Sequence, residues 1–351
     1  MAKILIRVPN WLGDAVMATG PIWEFCRRHP RDDVTLFGLP SVLSVFEFSP
    51  FPCATIAYDQ KGKHAGFSGW IRIVNDLRRG NFDAGYLLPY SFSSALLFRA
   101  AAIRERIGRA GNGRTMLLTQ PLVIPDNAIH QSAKYDFLLA GNGNTLIESD
   151  IFLSPQESEK ALLVFERHES LKRIRIGLAV GGAYGKAKRW FPERYAELAR
   201  RCCEELDARI FLFASRDERA ITEWITSQAG EGVVNLAGET NLRELFALVN
   251  GCNLLVGNDS GVMHVAAAMK TPGIVLFGPT NQMATAPIGA AVHAIDKELP
   301  CAPCMKRECP LQHHACMKEI QVIEVMEKVY SLVHRSPGFT NSSSTPTCPN
   351  R

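Results

Sequence analysis

The sequence predicts an α/β protein built from two doubly wound, Rossmann-like halves facing a central cleft. Short apolar runs alternate with amphipathic stretches from the N-terminus onward, and the same alternation restarts near residue 173. The chain has 351 residues, more than one ordinary core organises and about right for two. Strands alternating with helices imply a parallel sheet covered on both faces.

In the first half, "KILIRV" (3–8) is a short apolar strand, and "DAVMATGPIWEFCRRH" (14–29) is a helix with basic residues in its last turn, where they suit the helix dipole. "DVTLFGL" (33–39) is the second strand, and a short helix is expected over 41–48. "ATIAY" (54–58) is the third strand, followed by the helix "WIRIVNDLRRG" (70–80), closed by glycine. "FDAGYLLP" (82–89) is the fourth, followed by the helix "SFSSALLFRAA" (91–101). The polar, charged segment 154–173 is the expected boundary, which divides the chain into 1–165, 166–335 and a Pro- and Ser-rich tail, 336–351, expected to be disordered.

In the second half, "RIRIGLAV" (173–180) alternates with period two and reads as a new first strand. A Gly-rich loop, "GGAYGKAKRW", leads to the helix "PERYAELARRCCEEL" (192–206), which opens on Pro192. "RIFLFA" (209–214) is a strand and "DERAITEWITSQA" (217–229) a helix. Leu242, Leu245, Phe246 and Val249 form an amphipathic stripe, with Asn241 and Glu244 spaced for a capping box. "NLLVG" (253–257), a helix through Met269 and "GIVLFG" (273–278) complete the series. No Gly-x-Gly-x-x-Gly follows either first strand, which counts against a dinucleotide oxidoreductase.

Composition narrows the function classes. Hydrophobic residues make up 46% and charged residues 21%, the balance of a soluble globular protein, and no apolar run reaches the ~18 residues that span a bilayer. "MAKILIRVPN" reads as a first strand rather than a signal peptide, so a cytoplasmic protein is expected, with its ten cysteines mostly reduced. A net charge of +4 permits an anionic partner without demanding nucleic acid.

Three stretches carry candidate chemistry. In "GNDSGVMHVAAAMK", Asp259, Ser260 and Gly261 sit at a strand-to-helix turn, and Val262, Val265, Ala266 and Met269 mark the buried face of the helix. A helix start offers free N–H groups to an anion, Gly261 lets a phosphate approach the backbone, and Ser260 adds a hydroxyl. His264 falls on the opposite face. Asp259 would repel phosphate, so it suits a sugar hydroxyl or the loop itself. A plain N-cap with a surface histidine is the competing reading. In the loop after the second half's first strand, Lys186, Lys188 and Arg189 either neutralise a diphosphate or form a solvated basic loop. In "PNWLGDAVM", Asp14 opens a helix whose positive end would keep the carboxylate ionised, available as a general base or as an ordinary cap, and Gly13 leaves room for a substrate.

"PNWLGDAVM", "KRWFPERYAELA", "GNDSGVMHVAAAMKTPGIVLFGPT" and "CAPCMKRECPLQHHACM" together resemble the ADP-heptose:lipopolysaccharide heptosyltransferases over roughly residues 1–330. The resemblance implies a GT-B fold, with the acceptor on the N-terminal half and the ADP-sugar on the C-terminal half. It implies inverting, metal-independent transfer of L-glycero-D-manno-heptose from ADP-heptose to the first inner-core heptose of Kdo-lipid A, at the cytoplasmic face of the inner membrane. Residue by residue, Asp14 matches the family's catalytic base and Lys188 a lysine on the donor phosphates. Asp259, Ser260, Gly261 and His264 match the donor-binding motif, and Thr240 falls where some relatives contact the nucleotide. Asn10 and Tyr184 stand where other members have serine and threonine; Asn10 and Gly13 remain phosphate-loop and acceptor candidates. Another nucleotide-sugar donor and a non-catalytic nucleotide-binding scaffold are the alternative functions.

Two further features are ambiguous. Cys301, Cys304, Cys309 and Cys316 have the composition of a structural zinc site, but the second pair lacks tight spacing, which favours plain thiols. The run 99–114, with five arginines including Arg109, either meets acceptor phosphates or an anionic membrane, or is a solvated face. "PYSFSSALLF" before it either touches the acceptor or is a buried helix.

Overall fold

The apolar runs pair in parallel to form two six-stranded sheets. A computed structural model describes residues 1–124, 130–140, 146–182, 185–289 and 291–333; Tyr184 and the tail 336–351 lie outside them. The first sheet contains β1 (Lys3–Arg7), β2 (Asp33–Gly38), β3 (Ala54–Ala57), β4 (Ala84–Leu87), β5 (Glu105–Arg109) and β6 (Gln120–Leu122), in the order 3-2-1-4-5-6. The second contains β7 (Arg175–Ala179), β8 (Arg209–Phe213), β9 (Val233–Asn235), β10 (Leu254–Asn258), β11 (Gly273–Leu276) and β12 (Val292–Ile295). Its order, β12-β11-β10-β7-β8-β9, is the same arrangement counted within its own half. β1 pairs with both β2 and β4, and β7 with both β8 and β10, so each sheet reverses direction beside its first strand. Ligands bind outside the carboxyl ends of strands at such a switch point.

All eight strands expected from apolar runs form. β5, β6, β9 and β12 carry no such signal. β6, β9 and β12 are short strands at the edges of the sheets and β5 lies next to β6, which includes Pro121, a residue that an edge strand tolerates. β7 is buried on both faces instead of alternating, as a central parallel strand must be. The helix Pro192–Leu206 has the expected bounds, and Asn241 with Glu244 forms the expected capping box at the start of Leu242–Gly251. The first half's third helix runs Gly66–Gly80, and the left-handed residue that ends it is Asn81, φ 51°, rather than the glycine.

The charged segment at the expected boundary is largely a helix, Pro155–Arg167, opened by a Ser154–Glu157 capping box and anchored by buried Ala161 and Phe165. Its charges face water on one side only. Arg243 clamps this helix to both halves. Its guanidinium donates to Glu157 at 2.7 Å, to Phe152 O at 2.7 Å and to Ser44 O at 3.0 Å. The pair with Arg243 holds the Glu157 carboxyl down at about 2.

One apolar core runs beneath the cleft, from Ile4 and Ile6 through Val16 and Met17 to Met263 and Val265. Helices Leu12–Arg28 and Gly261–Ala268 meet there. Met263, His264, Val265, Ala266, Ala267 and Ala268 are therefore all buried, where a single buried stripe was expected. One side of that helix faces its own sheet and the other faces the opposite half.

Candidate active site

The loops after β1, β7 and β10 converge at the two switch points. Leu12, Gly13 and Asp14 form the first turn of the helix after β1. The Asp14 carboxylate accepts a hydrogen bond from Tyr135 Oη at 3.0 Å. Burial raises its pKa; the Tyr135 hydroxyl and the Lys188 charge oppose that rise, and Asp259 adds to it. The helix dipole was expected to leave an ordinary, readily ionised carboxylate. Desolvation outweighs it, because the carboxylate is buried at the helix start. A raised pKa suits a general base better.

Asn258 ends β10 and pins the facing loop. Its Oδ1 accepts from Trp190 N at 2.9 Å and Tyr195 Oη at 3.0 Å, and its Nδ2 donates to Val180 O at 3.0 Å. Next to it, buried Asp259 accepts from Lys188 Nζ at 2.6 Å and from Thr280 Oγ1 at 2.7 Å. Of the two roles open to Asp259, the loop-fixing one is the contact present, and the lysine ammonium is its partner. Ser260 occupies the N-cap position without making a cap bond, and among the described residues nothing bonds its buried Oγ. A desolvated hydroxyl left over at a helix start has capacity for a ligand.

The two glycines serve the meeting of the halves. A Cβ on Gly13 would lie 2.9 Å from His264 Cδ2, and one on Gly261 would lie 2.9 Å from Leu12 Cβ and 3.1 Å from Gly13 N. The space expected for a substrate at these two Cβ positions is filled by the opposite helix. His264 is likewise buried between the halves, not on the surface, and burial pushes its imidazole down to about 4, so it is neutral at neutral pH. Gly261→Ala drives a methyl against the Leu12 side chain and the Gly13 backbone and is expected to destabilise by about 1–3 kcal/mol. A urea midpoint equal to wild type would show that the helices part freely.

A cavity of about 850 Å³ lies between the halves, lined by Gly13, Asp14, Lys188, Thr240, Asp259, Ser260, Gly261 and His264. Two predicted residues lie apart. Exposed Asn10 accepts from the Arg7 guanidinium at 2.6 Å, and Arg109, at the end of β5, stacks on the Tyr90 ring at 4.3 Å. Neither lines the cavity. Of the loop cations, only Lys188 does: Lys186 is exposed, and Arg189 pairs with Glu218 at 2.8 Å. The arginine run divides too. Arg106 and fully buried Arg114 bond backbone carbonyls of their own half, so they are structural. Sequence reasoning assigned no role to Trp11, Arg216 and Arg307, which line the cavity, or to Tyr135. Trp11 and Arg307 sat inside quoted motifs; Arg216 and Tyr135 carried no local signal. Cys301, Cys304, Cys309 and Cys316 are free thiols, and no group of three or more metal-ligating side chains occurs among the described residues.

The profile of glycosyltransferase family 9 (heptosyltransferase) matches residues 70–315. The chain belongs to this family. The lipopolysaccharide heptosyltransferase 2 of Salmonella typhimurium is 29% identical over 94% of this chain and 98% of its own length. The lipooligosaccharide heptosyltransferase 2 of Campylobacter jejuni is 27% identical over 94% and 99%. The solved Escherichia coli ADP-heptose lipopolysaccharide heptosyltransferase II superposes with a TM-score of 0.81 at 26% identity, covering 95% of this chain and 99% of that one. The two sheets are therefore those of a GT-B glycosyltransferase.

In this family 9 glycosyltransferase, the hydroxyl of Tyr135 favours the charged form of Asp14. Tyr135→Phe removes that bond, so the carboxyl pKa rises further. The acid limb of the kcat/KM profile is then expected to move to higher pH, while the plateau falls less than for loss of the carboxylate itself. An unmoved limb would remove Tyr135 from the tuning of Asp14.

Proposed function

We propose that this enzyme transfers L-glycero-D-manno-heptose from ADP-heptose to the first inner-core heptose of Kdo-lipid A, with inversion, in lipopolysaccharide core biosynthesis. The observation that carries the proposal is that Asp14 from one half and the Lys188–Asp259–Ser260–Gly261 wall from the other line one cavity. We assign the acceptor to residues 1–165 and the ADP-sugar to 166–335.

In an inverting transfer the acceptor oxygen attacks the anomeric carbon from the face opposite the diphosphate. Asp14 takes the hydroxyl proton as the new C–O bond forms. The bond from the anomeric carbon to the phosphate oxygen breaks with its electron pair going to ADP, and the carboxyl later returns the proton to solvent. Charge grows on the diphosphate, where the ammonium of Lys188, the Ser260 hydroxyl and the N–H groups at the Gly261 helix start offset it. No step calls for a metal. Thr240, on the same wall, is assigned to the nucleotide. The neutral imidazole of His264 packs the floor between the halves.

Calorimetric titration with ADP-heptose, ADP and UDP-sugars tests the donor. ADP-heptose is expected to bind most tightly, and tighter binding of a UDP-sugar would overturn the assignment. The lipid-borne acceptor places the enzyme at the cytoplasmic face of the inner membrane. No helix among the described residues is long and apolar enough to cross a membrane, so attachment there would be peripheral.

A further inference from the structure

Helix Gly66–Gly80 and helix Phe92–Ala100 lie side by side on one face of the first sheet. Their inner sides, Ile73, Val74 and Leu77 with Ala95, Leu97 and Phe98, share one core with Leu5, Phe37 and Leu87. Their outer sides carry large apolar side chains among the polar ones that the exposed side of a surface helix normally shows. Phe67 is 77% exposed and is supported by Trp70, stacked with 6.4 Å between ring centroids. Ile71, Phe92 and Leu96 are exposed as well, and Met116, in the short helix after β5, is 80% exposed. Phe67, Phe92 and Met116 each stand in the first turn after β3, β4 or β5. They therefore share the carboxyl edge of the sheet, the edge that opens on the cleft. Large side chains left in water at one edge mark an interaction surface.

Its charge indicates the partner. Residues 61–80 carry five Lys or Arg against one acidic residue, Asp76, which already holds Lys63 at 3.6 Å and Arg79 at 3.3 Å. Exposed Arg99 continues the basic rim on the second helix. An apolar face rimmed by Lys and Arg matches the boundary between headgroups and acyl chains of an anionic bilayer.

We infer that this face docks the enzyme on an anionic lipid bilayer, apolar side chains inserted and basic rim on the headgroups, so that the cleft opens toward a lipid-anchored acceptor. The inference deepens the proposed function and rests on its lipid-borne acceptor.

Vesicle co-sedimentation of the full chain tests it, using phosphatidylglycerol–phosphatidylethanolamine vesicles against phosphatidylcholine vesicles. Wild type is expected to sediment with the anionic vesicles, less so as salt rises. Phe67→Ser/Met116→Ser, two substitutions that disturb little packing, is expected to bind at least about tenfold more weakly with an unchanged thermal midpoint. Lys61→Glu/Arg99→Glu should weaken binding to the anionic vesicles in the same way. Wild type that ignores anionic vesicles, or variants that bind like wild type, overturns the inference. So does a wild-type dimer in sedimentation velocity that Phe67→Ser/Met116→Ser makes monomeric without changing vesicle binding, which would identify a second copy as the occupant. The readout needs no turnover. Transfer to a water-soluble acceptor without vesicle binding would sink this surface and spare the proposed function; vesicle binding without any transfer would do the reverse.

Discussion

Asp14→Asn is expected to lower kcat by about 100- to 10,000-fold, the range for removing a positioned general base. Asparagine keeps the shape and can still meet the Tyr135 hydroxyl, which lies 3.0 Å from the carboxylate. Donor affinity should stay within about tenfold, or ~1.4 kcal/mol, because the wall proposed to hold the donor belongs to the other half. Single-turnover rates and donor titration separate the two quantities. Turnover near wild type would mean that another group accepts the proton. The wild-type acid limb should lie above the ordinary carboxylate range, since burial raises the Asp14 pKa. Activity then falls as pH drops through that raised value, where the base becomes protonated.

Lys188→Met is expected to act twice. Lys188 Nζ lies 2.6 Å from an Asp259 carboxylate that is 4% exposed. Removing the ammonium leaves a buried charge with the Thr280 hydroxyl as its side-chain partner among the described residues, at a cost of about 3 kcal/mol. It also removes a cation from the wall assigned to the diphosphate, which should lower kcat/KM by about 100-fold or more. Lys188→Met/Asp259→Asn separates the effects: it should recover most of the stability, read from urea midpoints, without recovering transfer. A single variant with wild-type kcat/KM would end the diphosphate role of Lys188.

Much of the fold was legible because strand and helix signals are local. The runs at β1, β2, β3, β4, β7, β8, β10 and β11 are apolar and bounded by turns, and each became a strand. The Asn241–Glu244 capping box was readable because its partners are three residues apart. The flank strands were not, because β5, β6, β9 and β12 are defined by the neighbour they pair with rather than by their own composition. The charged helix Pro155–Arg167 looked like a linker because only Ala161 and Phe165 anchor it inside.

The site divided along the same line. That Asp14, Lys188 and the Asp259–His264 turn carry polar chemistry at strand ends was readable from residue type and position. What each does physically was not. Asp14 has a raised pKa because the folded chain buries it, and Tyr135, 121 residues away, tempers that rise through its hydrogen bond. The expected role of Gly13 and Gly261 as open space changed once the two helix starts met. His264 became a buried neutral imidazole for the same reason. Arg109 and Asn10, chosen by charge and motif position, found partners within their own half. The sequence by itself determined the alternation of elements, their caps and the residues offered at the carboxyl edges, because those depend on a few neighbouring side chains. Burial, pairing and electrostatics were decided only by the tertiary structure, because they depend on groups that the chain brings together from both halves.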